Sequence, residues 1–285
     1  MTSAASDWAI RVPASSANLG AGFDVLGMAL DLHAEVGLGP PPTGARAAEE
    51  QHPATVAFRR LGGTGDLWVR SSIPMGRGLG FSGSVRVGGA AAAVVQGGGS
   101  LDDADDRSTV LEAAGALEGH LDNVAPSMEG GVVVAAGDRV QRVPLAFDPA
   151  VVVWVSDVAT TSTDQSRTTL PETVSMADAV FNLGRVALFV AACAAGDTVA
   201  LRSAVEDRLH QPVRLAAVPD SADAIEAAFE AGAWAAWLSG SGPTVAAMCE
   251  PGAAAEIAAA LPDTGHTKLL RIDHEGAAVV RSICD

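Results

Sequence analysis

An α+β fold in two units is the class the sequence predicts, on three observations. Helical stretches are interleaved with strands that turn back on themselves, across Gly137-Asp138 and across Ser239 to Thr244, which favours antiparallel sheets with helices layered on them. At 285 residues the chain can bury one large core or two moderate ones, and Asp148-Pro149 marks a division into residues 1–148 and 149–285. With 48% hydrophobic and 18% charged residues, the composition is that of an ordinary globular protein.

In chain order, Trp8 to Pro13 alternates like an edge strand and stops at proline. Ala14 to Gly27 is rich in small residues, with Asn18, Gly20 and Gly22 marking a shaped loop, and Phe23 to Leu32 reads as a short apolar segment leading into a strand at His33 to Leu38. Gly39 to Glu50 is a surface connection. Pro53 to Leu61 is a helix with Ala57 and Phe58 inward, and Asp66 to Ile73 is a strand. Val85 to Gln96 and Asp105 to Leu117 are helices separated by the helix stop Gly97-Gly98-Gly99-Ser100. Gly119 to Met128 is a polar loop, and Gly131 to Ala136 pairs with Arg139 to Val143 as a hairpin. In the second half, Val151 to Val155, Trp234 to Leu238, Val245 to Cys249 and Thr267 to Ile272 read as strands. Ser175 to Ala195, Val199 to Leu209, Ala222 to Ala231 and Ala253 to Leu261 read as helices.

The chemistry is concentrated between the strand ending at Ile73 and the helix that follows. Gly76, Gly78 and Gly80 fall on alternate positions and leave the main chain almost bare, so the N–H groups from Gly76 to Ser82 can converge on one point as an anion cradle. Its ligand is not a nucleic-acid backbone, because 34 Asp and Glu outnumber 18 Lys and Arg and the net charge is −16. Gly78-x-Gly80-x-x-Gly83 satisfies the dinucleotide fingerprint literally. That reading needs a second strand ending in an acidic residue about 20 residues on, and Gly97 to Ser100 leaves no room for it before Asp102 and Asp103. A Walker A loop is excluded, since no Gly-Lys-Ser/Thr occurs.

Other features bound the surroundings. Met1 to Asp7 has neither a basic nor an apolar region of a signal peptide, and the apolar stretch Val186 to Ala195 is too short to span a bilayer. Cys193, Cys249 and Cys284 are far apart and odd in number, which fits a reducing compartment and gives no metal spacing. A cytoplasmic protein without a membrane or nucleic-acid partner is expected. Seventeen arginines against the single Lys268, and no tyrosine, are compatible with a GC-rich genome or a salty cytoplasm.

Three loops narrow the choice. Val12-Pro-Ala-Ser-Ser-Ala-Asn-Leu-Gly-Ala-Gly-Phe-Asp24, Pro74-x-Gly-x-Gly-Leu-Gly-x-Ser82 and Leu238-Ser-Gly-Ser-Gly-Pro-Thr244 resemble, in this order, the three motifs of the GHMP small-molecule kinases. With Glu118-Gly-His-Leu-Asp-Asn-Val-Ala-Pro126, the first of them looks most like the homoserine kinases within that family. The resemblance continues through Thr161-Ser-Thr163, Phe181-Asn-Leu-Gly-Arg185 and Asp207-Arg-Leu-His-Gln-Pro-Val-Arg214. It implies an N-terminal unit with the ribosomal-S5-like fold and a ferredoxin-like C-terminal unit.

It also implies ATP-dependent phosphorylation of the homoserine side-chain hydroxyl, a step of threonine synthesis, with ATP and homoserine as partners and Mg²⁺ as cofactor. A homodimer is compatible with it. Pro74, Gly76, Arg77, Gly78, Leu79, Gly80, Phe81, Ser82, Gly83 and Ser84 would hold the nucleotide phosphates, the following helix dipole adding to the pull. Ser82 and Glu118 would ligate Mg²⁺ through hard oxygen atoms. Glu112, earlier on the same helix, is a rival for the second position. Homoserine is a zwitterion, which calls for a carboxylate opposite its ammonium and a guanidinium opposite its carboxylate. The family positions match Asp24 for the first, Arg185 and Arg214 for the second, and Asn18 and Asn123 near the hydroxyl. Read without the resemblance, Asn18 is a turn residue, Arg185 a helix-surface charge and either glutamate a solvated helix face. His120 would order its loop or touch substrate, and Asp122 is the nearest carboxylate to act as a base.

Two positions depart from the family pattern Gly-Leu-Gly-Ser-Ser-Ala-Ala. Phe81 replaces the first serine, and Arg86 enters the helix where small residues are usual. If Phe81 contributes only its N–H, its ring needs a pocket; if the ring points inward, it crowds the triphosphate. Leu121 stands where proline is usual, loosening that loop. Kinases acting on another small alcohol, or a nucleotide-binding paralogue without turnover, are therefore the alternatives.

Overall fold

A computed structural model describes residues 7–137, 139–157 and 163–281. Asp138, Thr161, Ser162 and Cys284, named above, lie outside the described residues, as do residues 1–6. The first half runs β1 (Trp8–Ala17), β2 (Leu26–Leu38), β3 (Arg46–Ala48), α1 (Pro53–Arg60), β4 (Leu67–Ser71), α2 (Phe81–Gln96), α3 (Ala104–Glu118), α4 (Val124–Glu129), β5 (Val132–Ala136) and β6 (Arg139–Arg142). The second runs β7 (Ala150–Ser156), α5 (Thr163–Thr168), α6 (Met176–Ala195), α7 (Thr198–Ala204), α8 (Gln211–Leu215), α9 (Pro219–Glu230), β8 (Ala235–Leu238), β9 (Val245–Cys249), α10 (Ala254–Ala260), β10 (Gly265–Arg271) and β11 (Ala278–Arg281).

Helices and antiparallel sheets are layered as expected for an α+β protein. The first sheet has the order β11-β1-β2-β4-β3, with β5 on the N-terminal part of β2 and β6 beyond it. The second has the order β10-β7-β9-β8. The strand at Trp8 neither stops at Pro13 nor lies at an edge: it continues to Ala17 between β2 and β11, and the register shifts between Pro13 and Ala14. That irregularity is how a residue without an N–H is passed over inside a sheet. From Leu26 on, the apolar segment and the strand expected at Phe23 to Leu38 are one strand, β2, long enough to pair with β5 and β4 in succession. β3 lies within the connection expected at Gly39 to Glu50, and the polar loop Gly119 to Met128 contains the buried helix α4.

The small residues of α2 let it sink into the molecule, with Val87 to Ala93 buried against α1, β1 and β2. One apolar cluster joins Ile10, Met28 and Val85 of the first half to Val153, Trp237 and Met248 of the second. The Trp237 indole N–H donates to Ser16 Oγ at 2.9 Å, tying the sheets at the site. Cys193 and Cys249 are buried, free thiols, and burial pushes them up to about 12 and about 11. α6, at 20 residues with a mean hydropathy of 1.5, reaches the length and apolarity of a bilayer span, which the shorter stretch Val186 to Ala195 did not suggest. Its Phe189, Ala192 and Cys193 face packs into the core.

Candidate active site

The three glycine-rich loops meet at one cleft and are bonded to each other. Ser239 Oγ donates to the Gly78 carbonyl at 2.6 Å and lies 2.8 Å from Ser16 Oγ, while the Asn18 amide donates to the Gly240 carbonyl at 3.0 Å. Gly78 and Gly80 have left-handed φ of 77° and 67°, and a Cβ on either would fall 2.3 Å from the Ser239 carbonyl oxygen or 2.0 Å from Ser15 Oγ. Only glycine meets both demands, so the sequence spacing here encodes both the turn and the close approach.

Pro74, Gly76, Arg77, Gly78, Leu79, Gly80, Phe81 and Ser82 form one wall. Gly80 caps α2 without a side-chain bond, so the first-turn N–H groups, which have no intrahelical acceptor, face the cleft with the positive end of the helix dipole. Gly83 and Ser84 are buried in that first turn beneath the wall and do not line it. The Phe81 ring meets His52 edge-on with centroids 6.2 Å apart and packs against the core. His52, at the start of α1, is not part of the cleft, so the ring is housed beside it and the N–H remains for a ligand.

Asn18, Phe23, Asp24, Glu118, His120, Asp122, Asn123, Arg167, Arg214, Gly240 and Ser241 complete the lining. Arg167 donates to both Asp24 oxygens, at 2.9 and 2.5 Å, a bidentate pair. Phe23 stacks on His210 at 5.1 Å and carries the Arg167 and Arg214 guanidinium groups against its ring at 5.4 and 5.2 Å. Arg214 is buried, with Nη1 donating to the Gly240 carbonyl at 3.1 Å. Burial, and then the neighbouring Arg167, lower its affinity for a proton. His120 Nδ1 lies 2.5 Å from Asp122, and Ser15 Oγ donates to Asn123 Oδ1 at 2.9 Å, which fixes the loop after α3.

Ser82 and Glu118, delivered by the start of α2 and the end of α3, come together: Ser82 Oγ donates to Glu118 Oε2 at 3.0 Å. Arg86 joins them as a third member. Arg86 donates to Ser82 Oγ at 2.7 Å and forms an ion pair with Glu118, so both oxygens already serve a guanidinium. Among the described residues no group of three or more His, Cys, Asp or Glu is gathered as a metal site. Glu112 faces a separate groove between α3 and the β5–β6 hairpin.

Arg185 is not brought to the cleft. It lies on α6, bonded to Glu206 of the turn after α7 at 2.7 Å and stacked on Phe181 at 4.5 Å. The guanidinium that does face Asp24 is Arg167, which sequence reasoning missed together with Phe23. No local pattern distinguishes Arg167, whereas Phe23 lies inside the first motif beside Asp24 and is marked by that position alone.

The description "GHMP kinases N terminal domain" matches residues 46–131 and "GHMP kinases C terminal" matches residues 189–267. The chain is 41% identical to a homoserine kinase of Thermus thermophilus over 267 residues, 88% of this chain and 90% of that one. It is 41% identical to a homoserine kinase of Moorella thermoacetica over 261 residues, 84% and 86% of the two chains. The crystal structure of a homoserine kinase from Cytophaga hutchinsonii superposes with a TM-score of 0.82 at 25% identity, over 98% of this chain and 99% of that one. A Methanococcus jannaschii mevalonate kinase, 13% identical, has the same fold at a TM-score of 0.67, covering 94% of this chain and 98% of its own.

Proposed function

Since the chain belongs to the GHMP kinase family, and homoserine kinases match it over most of its length, we propose that it transfers the γ-phosphoryl group of ATP to the side-chain hydroxyl of L-homoserine. The product, O-phospho-L-homoserine, feeds threonine synthesis. The reading makes the protein a cytoplasmic enzyme of small-molecule partners, acting without nucleic acid or membrane.

One observation carries it: a phosphate cradle and a set of groups fitted to an amino-acid zwitterion line the same cleft. Phosphoryl transfer is chiefly positioning and charge stabilisation. The N–H groups of Gly76 to Ser82 and the α2 dipole hold the triphosphate. Asp24 takes the ammonium, and Arg167 and Arg214 take the carboxylate, which leaves the side-chain hydroxyl to the amides of Asn18 and Asn123. Contact with the Phe23 ring positions both guanidinium groups. His120 and Asp122 hold the loop that carries Asn123. Mg²⁺ would accompany ATP, and at Ser82 and Glu118 the Arg86 guanidinium engages both side chains. The chain divides near residue 148 into a nucleotide-binding half and a C-terminal half, with β11 returned to the first sheet.

ADP release measured over a panel of hydroxy amino acids and isoprenoid alcohols tests the substrate. L-Homoserine should give the highest kcat/KM. Silence with homoserine and turnover of another alcohol would assign a different member of the family. A nucleotide-binding paralogue without turnover is the second reading, favoured by the Arg86–Glu118 pair alone, and turnover by the unaltered protein ends it.

A further inference from the structure

Arg86 follows Ser82 by four residues on α2, one helical turn, so both side chains rise along one face toward the end of α3. A closed triad results. Arg86 Nη1 donates to Ser82 Oγ at 2.7 Å and pairs with Glu118, and the Ser82 hydroxyl donates at 3.0 Å to the same carboxylate oxygen, Oε2. Glu118 is held at 12% side-chain exposure and Arg86 at 22%, so the pair is largely screened from solvent. Arg86 Nε has no partner among the described residues, which leaves Glu118 and Ser82 as the contacts that hold the guanidinium.

A divalent cation bound through a serine hydroxyl and a carboxylate needs lone pairs directed at it and no like charge at contact distance. Glu118 Oε2 meets neither condition, since it already accepts from both neighbours and one of them is cationic, and a cation on the other carboxylate oxygen would still stand beside that guanidinium. Charge balance says the same: one carboxylate and one guanidinium already cancel within the triad.

We infer that Glu118 in this chain is the counter-ion of Arg86 and not a metal ligand, so that a divalent ion enters the cleft on the nucleotide phosphates alone. This assignment rests on the nucleotide-binding reading above.

The test follows Mn²⁺ by electron paramagnetic resonance and AMP-PNP by calorimetry, each on the full chain. AMP-PNP should bind, and Mn²⁺ should bind the complex equally well in the unaltered protein and in Arg86→Ala/Glu118→Gln, where neither charge is left without its partner. Arg86→Ala should tighten Mn²⁺ by about tenfold or more, the scale of one recovered charged ligand. The double variant Arg86→Ala/Glu118→Gln, which leaves no buried charge without its partner, should lose that gain while remaining folded. A tenfold weakening of Mn²⁺ in the double variant relative to the unaltered protein, or no gain in Arg86→Ala, would overturn the inference. Failure of AMP-PNP to bind any form would overturn the nucleotide reading instead. The role of Glu118 would then be decided by Mn²⁺ titration of the protein alone, in which a Glu118-dependent site counts against the inference and its absence supports it.

Discussion

At Asp24 the main chain turns left-handed, with φ 60°, and the Asn18 side chain accepts the Asp24 N–H at 3.1 Å to hold it there. The carboxylate is thereby set against Arg167 at fixed angle. Asn tolerates the same backbone, so Asp24→Asn removes charge without disturbing the loop. We expect kcat/KM for homoserine to fall about 10- to 100-fold, the scale of about 1.5–3 kcal/mol for a hydrogen bond to a charged group, with the KM for ATP unchanged. Steady-state kinetics in both substrates measure it. Gly80 is the contrasting residue, because it belongs to the nucleotide wall. Gly80→Ala places a Cβ 2.0 Å from Ser15 Oγ in a left-handed cap, and Ser15 in turn holds Asn123. The left-handed strain alone costs about 1–2 kcal/mol, so ADP affinity by calorimetry should fall about tenfold or more.

Among the elements, α8 shows how a short helix is fixed by polar groups. Asp207 accepts the N–H groups of Leu209, His210 and Gln211 at 3.0, 2.9 and 2.6 Å and the Asn182 amide at 2.6 Å. Burial alone would raise the Asp207 pKa, but His210, Asn182 and those N–H groups outweigh it and hold it below the usual carboxylate range. His210 is buried and its pKa is lowered, burial prevailing over the pull of Asp207. Its contacts suit the neutral ring, with Nε2 2.8 Å from the Gly20 carbonyl and Nδ1 3.2 Å from Arg214 Nη1. The fold therefore refuses a proton that the unfolded chain accepts. Stability from His210 is complete above about pH 6.5, the ordinary histidine pKa, and declines as pH falls below it. Asp207 contributes above the ordinary carboxylate pKa of about 3.9 and loses its contribution as pH falls below that. The urea midpoint should drop between about pH 7 and 5, and His210→Gln should flatten that part of the curve while the loss below about pH 4 remains. A curve unchanged by the substitution would exclude His210 as the source.

Taken as a whole, the molecule joins its two sheets through a shared core and through the Trp237–Ser16 bond. Residues of both halves would lose partners together if either unfolded. Urea unfolding should therefore be one transition, coincident by tryptophan fluorescence, which reports Trp68 of the first sheet and Trp154 of the second, and by circular dichroism. Two separated steps would show that the halves unfold independently. The glycine spacing, the helices α1, α2 and α3, and the antiparallel pairing of β5 with β6 and β8 with β9 were legible from local pattern. The run of β1 through Pro13, the buried α4 and the return of β11 were not, because each depends on a partner distant in sequence.

What the sequence by itself determined was the site's vocabulary. Glycines at positions 76, 78 and 80, the asparagine and aspartate of the first loop, and the family order of three motifs all act through backbone conformation or fixed spacing, which are local properties. Tertiary structure alone decided which charges face one another. Arg167 rather than Arg185 reaches Asp24, Arg185 being paired with Glu206, and Arg86 rather than an open pair of oxygens is what Ser82 and Glu118 hold. Pairing of charges depends on distance in space, which the order of residues along the chain does not fix.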